Sequence, residues 1–388
     1  MRETGPRIFL AGGGTGGHLY PGLAVAEAVL AARPDTTIAF SSTGGEIDRK
    51  ILRGPGTPGF PVTLLAARAL RLRAPWTWPG FLVSLVLAGI QARRRFREFC
   101  PDVVVGLGGY ASYAPVRVGQ KYGAATAVLN PDIIPGRANR RLARRADAVF
   151  CQFAETVDLL GGAARLTGCP VRAGVVGRDR AEALARYGLD AWRRTLLVTG
   201  ASSGARTVNR AVTAMVRERG LPDGWQVLHL TGELDYEEVA RATKGLGVAV
   251  SVRAYEHDMG LAYAAADLAV ARAGASTIAE LLATAVPTIY LPYPFHRDQH
   301  QTRQALAVEA AGAAVVVQDR PADPGGTARD LAEAVASLAG DEARRRELAQ
   351  GARAAARPDA AHAVAEALLR LADEVTERRH KGIESRER

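Results

Sequence analysis

Residues 272–301, RAGASTIAELLATAVPTIYLPYPFHRDQHQ, decide how this chain is read. Immediately before them, DLAVA at 267–271 is a short, mostly apolar run, as expected of a buried strand in a parallel sheet. Gly274 breaks the chain. Thr277 and Glu280 then stand at the S/T-x-x-E spacing of a capping box ahead of an Ala/Leu-rich run, so a helix is expected to begin at Thr277. Residues 286–291 read as the next strand, and the polar run His296, Arg297, Asp298, Gln299, His300, Gln301 follows at its carboxyl end. Ligands of open α/β sheets bind at the carboxyl ends of strands.

The first-turn N–H groups of such a helix have no intrahelical partners and lie at the positive end of its dipole, so they suit a diphosphate. Two roles fit Glu280: bonding the backbone of Thr277 as a cap, or accepting two ribose hydroxyls beside the diphosphate. The spacing is compatible with both. The same holds after the second strand, where Asp298 and Gln301 either face a sugar or belong to a solvated loop.

With 388 residues, two domains of roughly 150 to 200 residues each are expected. Hydrophobic residues make up 48% and charged residues 23%, which describes a folded, soluble chain. The net charge is +10, and the cations are nearly all arginine, since only Lys50, Lys121, Lys244 and Lys381 are lysines. Arginine forks suit phosphates and anionic lipid heads. Nucleic acid is not favoured as a partner, because no basic stretch is interleaved with aromatics on a nucleic-acid module. Cys100, Cys151 and Cys169 are far apart with no CxxC, which suggests neither a disulfide framework nor a thiolate metal site. No D-x-D pair or His/Asp cluster suggests a metal either, and no cofactor is expected. The N-terminus reaches a glycine-rich loop before any signal-like apolar segment, so secretion is not expected.

That loop follows a short strand at 7–11: Gly12, Gly13, Gly14, Thr15, Gly16, Gly17, His18, after which Pro21 is expected to open an amphipathic helix. Gly12, Gly14 and Gly17 satisfy G-x-G-x-x-G, the dinucleotide fingerprint, which is weak alone. A nicotinamide site wants an acid at the end of the second strand. Here that strand ends in Ser41, Ser42, Thr43, Gly44 and Gly45, which argues against a dehydrogenase. His18 is the candidate general base, since an imidazole just after a phosphate-cradling loop can reach a hydroxyl in the cleft. A histidine that merely caps or packs at the helix start fits the sequence too.

Between Arg68, Arg71, Arg73 and Arg93, Arg94, Arg95, Arg97 lies an uncharged run with Trp76, Trp78, Phe81 and Leu82. Pro79, Gly80, Ser84 and Gly89 interrupt it, so it is a poor transmembrane candidate. Tryptophans beside an apolar helix bracketed by arginines describe an element lying in an anionic membrane interface. The competing reading is a core helix with a solvated basic end.

Residues 102–105 and 124–129 read as further strands, the first followed by Gly106, Gly108 and Gly109 and the second by Asn130, Pro131, Asp132. The rhythm is lost near Pro170, where the domain hinge is placed, and restarts at 195–199 with Gly200, Ala201, Ser202, Ser203, Gly204 behind it. Two doubly wound parallel-sheet α/β domains facing across a cleft are expected.

With GGGTGGHLYP, RAGASTIAEL and DQHQ in hand, the chain resembles the MurG family of bacterial peptidoglycan glycosyltransferases (GT-B fold, family 28) over roughly residues 7–372. The resemblance implies two Rossmann-like domains: residues 1–170 on the acceptor and membrane side, and 171–357 holding the donor. A terminal helix at about 358–378 would rejoin the first domain, leaving a charged, disordered tail at 379–388. It implies a peripheral enzyme at the cytoplasmic face of the membrane that moves N-acetylglucosamine from UDP-GlcNAc to lipid I, undecaprenyl-pyrophosphoryl-MurNAc-pentapeptide, inverting the anomeric carbon.

Carried over residue by residue, Thr15, Gly16 and Gly17 would contact donor and acceptor phosphates, with His18 as base. Arg172 and Ser202 would serve the donor. Ala275, Ser276, Thr277, Ile278, Ala279 and Glu280 would hold uracil, phosphate and ribose, and Gln301 the GlcNAc hydroxyls. Departures are Asn130-Pro131-Asp132 in place of Glu-Gln-Asn, Cys169 for an asparagine, and Ala201 and Ser203 for a glycine and a glutamine. Rival readings are a related transferase with another acceptor, a non-catalytic UDP-sugar-binding membrane protein, and a UDP-GlcNAc epimerase.

Overall fold

A computed structural model describes residues 5–54, 57–68, 74–200 and 204–387, with side chains to 381. Ser202, Ala201 and Ser203, like Arg71 and Arg73, fall outside the described residues. The chain divides into two compact units, one of residues 1–172 with 358–388 and the other of 173–357.

The first unit opens with β1 (Arg7–Ala11), α1 (Gly16–Ala32), β2 (Thr37–Ser42), α2 (Glu46–Leu52) and β3 (Val62–Leu64). It continues with α3 (Trp78–Phe99), β4 (Val103–Gly106), α4 (Tyr113–Lys121), β5 (Ala125–Asn130) and α5 (Arg137–Ala143). The chain then forms β6 (Ala148–Cys151), α6 (Ala154–Leu160) and β7 (Ala164–Leu166). Among the described residues its strands form one sheet in the order β3-β2-β1-β4-β5-β6-β7, with every pair parallel.

The second unit runs α7 (Arg180–Tyr187), β8 (Arg194–Thr199), α8 (Arg206–Arg219), β9 (Trp225–Leu230), α9 (Tyr236–Thr243) and β10 (Val250–Arg253). After these come α10 (Met259–Ala265), β11 (Leu268–Ala271), α11 (Ala275–Thr284), β12 (Thr288–Tyr290) and α12 (His300–Ala310). It closes with β13 (Val315–Val316), α13 (Pro324–Gly340) and α14 (Glu342–Ala355). Its sheet is also parallel, ordered β10-β9-β8-β11-β12-β13. The last helix, α15 (Ala360–Glu387), returns to the first unit.

Parallel strands covered on both faces must be apolar throughout, and β1, β4 and β6 are buried almost end to end. On one face Ile8, Leu10, Leu23 and Val29 pack with Val364 and Leu368 of α15. On the other, Phe9 meets Phe96 edge-on at 4.9 Å, a pairing worth about 0.5–1.5 kcal/mol beyond its area. In the second unit Leu196, Val198 and Val270 pack with Val212 and Leu331 of the flanking helices.

Three expectations change. α1 begins at Gly16, not at Pro21, which lies inside the helix. The first turn donates no intrahelical hydrogen bonds, so glycines are tolerated there. α1 is also not amphipathic: residues 21–26 are all buried, because α15 covers the side turned away from the sheet. Finally, the terminal helix does not stop at about residue 378. α15 runs on to Glu387, and Arg379 bonds the Asp102 carboxylate and, at 3.1 Å, the Pro101 carbonyl. Arg33 and Asp373, 2.7 Å apart, dock the same helix.

Candidate functional site

In each sheet the strand order reverses at one place, between β1 and β4 in the first and between β8 and β11 in the second. Loops leaving the carboxyl ends of such a pair diverge, which opens a crevice there. The glycine runs that the sequence singled out follow these four strands.

In the first unit, β1 feeds the loop Gly12–Thr15. Gly12 and Gly22 serve packing: a Cβ would stand 2.9 Å from Leu107 Cβ at the first and 2.5 Å from Leu107 Cδ1 at the second. Gly13 and Gly14 turn the chain with φ of 137° and 89°. The Gly14 N–H then donates to Asp48 Oδ1 at 2.7 Å.

Asp48 is 1% exposed, and its Oδ2 accepts from Ser42 Oγ (2.7 Å), Thr43 N (3.1 Å) and Thr43 Oγ1 (2.9 Å). A carboxylate thus stands behind β2, bonded to the glycine loop and the strand's end. Sequence reasoning missed it. The available signal was its place as the third residue of α2, from which an acid reaches back past the cap. Asp48→Asn puts an amide N–H₂ among donors and is expected to cost on the order of 2 kcal/mol. Thermal denaturation measures that loss, and a fall in kcat/KM would show that the loop loosens with it.

His18, third in α1, has Nδ1 2.9 Å from Thr15 Oγ1. Its ring lies on the Gly108–Gly109 turn after β4, so a Cβ on Gly108 would come within 2.6 Å of His18 Cδ2. Part of the residue meets solvent, yet the crowding of protein around the ring disfavours the charged imidazolium. Burial therefore holds its pKa below the usual 6.5, while the Asp132 carboxylate, a hydrogen bond to the Gly13 backbone and the Asp48 charge pull it upward.

Asn130, the first departure from the family pattern, is turned inward: Nδ2 donates to the Asp132 carbonyl (2.7 Å) and Oδ1 accepts from Asn139 (2.8 Å). Arg172 stacks its guanidinium over the Tyr20 ring of α1 at 4.7 Å. The α1 amino end, His18, the Gly108–Gly109 turn and Tyr20 with Arg172 thus sit together in this unit. An anion at the Gly16 and Gly17 amides would face the positive end of α1.

In the second unit α11 starts at Ala275 behind an extended Gly274, with no side-chain cap. The expected capping box does not form, because Thr277 and Glu280 already lie inside the helix. Glu280 is 9% exposed and its Oε2 accepts from the Tyr263 hydroxyl of α10 at 2.7 Å. Ala275, Thr277 and Ile278 are buried, whereas Ser276 and Ala279 are partly exposed. Gln301, second in α12, accepts the Tyr293 N–H at 2.9 Å through Oε1.

Arg272 is the hub of this edge. Its Nη1 donates to the Leu291 (2.8 Å) and Pro292 (3.1 Å) carbonyls and lies 2.8 Å from Asp319 Oδ2. Its Nη2 donates to Thr207 of α8. The loops after β11, β12 and β13 are thereby tied together, and Gln304 Nε2 adds a 2.7 Å bond to the Ala273 carbonyl.

The apolar stretch near the tryptophans is one helix, α3, with Trp76 in the short 3-10 turn before it. Ser84, Ala88 and Ala92 face the core, while Leu82, Val83, Val86 and Ile90 are each more than half exposed. Over residues 82–92 small side chains point inward and large apolar ones outward, and before them Trp76 is 79% and Trp78 43% exposed and Phe81 half-buried. A groove between α3 and α4 carries Arg93, Arg117 and Lys121 on its rim. Among the described residues no helix is long and apolar enough to cross a membrane.

Two parallel α/β units, each with a helix amino end at the switch point of its sheet, are the architecture of the GT-B fold. The chain matches the glycosyltransferase family 28 N-terminal domain over residues 8–151 and the family 28 C-terminal domain over 195–364. It is 35% identical over 367 residues, 94% of this chain and 93% of the relative, to a protein of Anaeromyxobacter sp. (strain Fw109-5). That protein is named UDP-N-acetylglucosamine--N-acetylmuramyl-(pentapeptide) pyrophosphoryl-undecaprenol N-acetylglucosamine transferase. A protein of that name in Listeria monocytogenes is 34% identical, covering 94% of this chain and 99% of its own.

Among solved structures, Acinetobacter baumannii MurG superposes with a TM-score of 0.70 at 22% identity, covering 94% of this chain and 99% of that one. A UDP-GlcNAc 2-epimerase from Neisseria meningitidis bound to UDP-GlcNAc shares the fold, with a TM-score of 0.64 at 12% identity and coverage of 94% and 100%. The chain belongs to glycosyltransferase family 28 and is a glycosyltransferase.

Proposed function

We propose that the chain transfers N-acetylglucosamine from UDP-GlcNAc to the 4-hydroxyl of the MurNAc residue of lipid I, giving lipid II and UDP. The observation that carries this reading is His18, seated on Gly108–Gly109 beside the amino end of α1, in a family 28 chain whose relatives bear the transferase name.

The acceptor oxygen attacks the anomeric carbon opposite the diphosphate while His18 takes the hydroxyl proton. The C1–O bond to the diphosphate breaks and the configuration inverts from α to β. UDP leaves with its charge met by the amino end of α11. The partly exposed Ser276 lies beside the phosphates, Glu280, steadied by Tyr263, accepts the ribose hydroxyls, and the Gln301 amide reaches the GlcNAc hydroxyls. On this reading residues 173–357 hold the donor and the first unit the acceptor.

Purified protein mixed with labelled UDP-GlcNAc and lipid I should yield lipid II with one UDP released per transfer. Donor consumption without acceptor would instead indicate an epimerase, and binding without turnover a sensor.

The chain docks on the anionic cytoplasmic membrane surface through Trp76, Trp78, Phe81 and Leu82. The outward apolar face of α3 and its basic end support this, since each arginine near such a surface adds about 1 kcal/mol. The double variant L82E/V86E is expected to lose co-sedimentation with anionic vesicles while retaining UDP binding. Undiminished sedimentation would move the docking surface elsewhere.

A further inference from the structure

We infer that His296, Asp298 and His300 form a binding site for a divalent transition-metal ion of zinc's class, at the junction of the β12–α12 loop with α12. The ligating atoms of the three side chains lie within 4.8 Å of one another. The backbone brings them together. The Gln299 N–H donates to the His296 carbonyl at 3.0 Å, closing a tight turn. Gln299 itself takes a φ of 48°, a left-handed conformation uncommon for a residue with a Cβ. The chain therefore reverses between Asp298 and His300, and residues two apart converge.

The rings of His296 and His300 stand 4.4 Å apart, and His300 Nδ1 lies 3.0 Å from Asp298 Oδ1. Tyr293 packs against the His296 ring at 4.9 Å, so one ligand is partly oriented before an ion arrives.

Two imidazoles and one carboxylate are a donor set that zinc takes with its fourth position left to water. A single carboxylate among nitrogen donors is a poor match for magnesium or calcium, which want oxygen, and copper(I) wants sulfur. His296 and Asp298 are exposed and His300 half-buried, so an ion arriving from solvent needs no rearrangement of the core. No metal was expected from the sequence, although H-x-D-x-H is legible at 296–300. That spacing was absorbed into a sugar-facing loop.

The test is calorimetric titration of Zn²⁺ into tag-free, full-length protein stripped with chelator, in a buffer that does not bind zinc. One ion per chain is expected, with no matching heat from Mg²⁺. H296A and H300A should each weaken binding by about tenfold or more, while H362A, on α15, should leave it unchanged. Co²⁺ should give a visible absorption band that the double variant H296A/H300A lacks. Zinc binding that is absent from the wild type, or kept by that double variant, overturns the assignment. Neither readout uses transferase activity, so this site and the proposed reaction fail separately. Unchanged circular dichroism of the metal-free variants shows that any loss is not unfolding.

Discussion

His18→Ala is expected to lower kcat for lipid II formation by about 100-fold or more while leaving the KM for UDP-GlcNAc near its starting value. A positioned base contributes about 10² to 10⁴ in rate, and a factor of 100 corresponds to about 2.7 kcal/mol of barrier. KM should hold because the donor contacts are assigned to α11 and Gln301, not to the imidazole. The pH profile separates a base from a packing residue. Only neutral imidazole accepts a proton, so activity falls as pH drops through the His18 pKa. Burial holds that pKa below 6.5, and the acid limb of kcat/KM should therefore lie below 6.5 and be missing from the alanine variant. Asp132→Asn removes the charge that pulls the pKa upward and should move the limb to still lower pH. A histidine that only fills the space over Gly108 would show neither limb nor shift, and His18→Asn would then restore turnover.

The same unit shows what local sequence carries and what it does not. β1 was legible to the residue, as an apolar run that Gly12 stops. β3, β7 and β13 were not, because edge strands of two or three partly exposed residues have no periodicity to read. α1 looked amphipathic because its cover, α15, lies more than 300 residues away in the chain, and no local window contains it. Arg379 looked like part of a solvated tail for the same reason, since its partner Asp102 is on another element.

The site divides in a similar way. His18 and the glycine loops announce themselves by composition. Asp48 and Asp132 reach His18 only through the fold, as the strand order brings β2 and β5 to the two sides of the β1–β4 crevice. Thr277 and Glu280 had the right spacing for a cap, but an extended Gly274 started the helix two residues early and sent Glu280 to Tyr263 instead.

Arg272 opened the decisive stretch, yet its role is visible only in three dimensions, and it sets the largest expected loss of stability. Its side chain is 6% exposed and that of Asp319 is 2% exposed. Arg272→Met would leave the Asp319 charge buried, with Thr207 Oγ1 at 2.5 Å still bonded to it. Removing one partner of a buried pair typically costs about 3–5 kcal/mol, because the remaining charge stays desolvated. Replacing both with apolar groups of similar volume is often close to neutral. Arg272→Met is therefore expected to lower the melting transition of the second unit by roughly 10 °C, and Arg272→Met/Asp319→Leu should recover most of that. Calorimetry should show the shift in only one of two transitions, since the chain has two units and need not melt as one. A double variant as unstable as the single one would point to the bonds to the Leu291 and Pro292 carbonyls, with the ion pair contributing little. Those carbonyls begin the loop that Gln301 braces at Tyr293. The single variant should therefore also raise the KM for UDP-GlcNAc, the reverse of the pattern expected for His18→Ala.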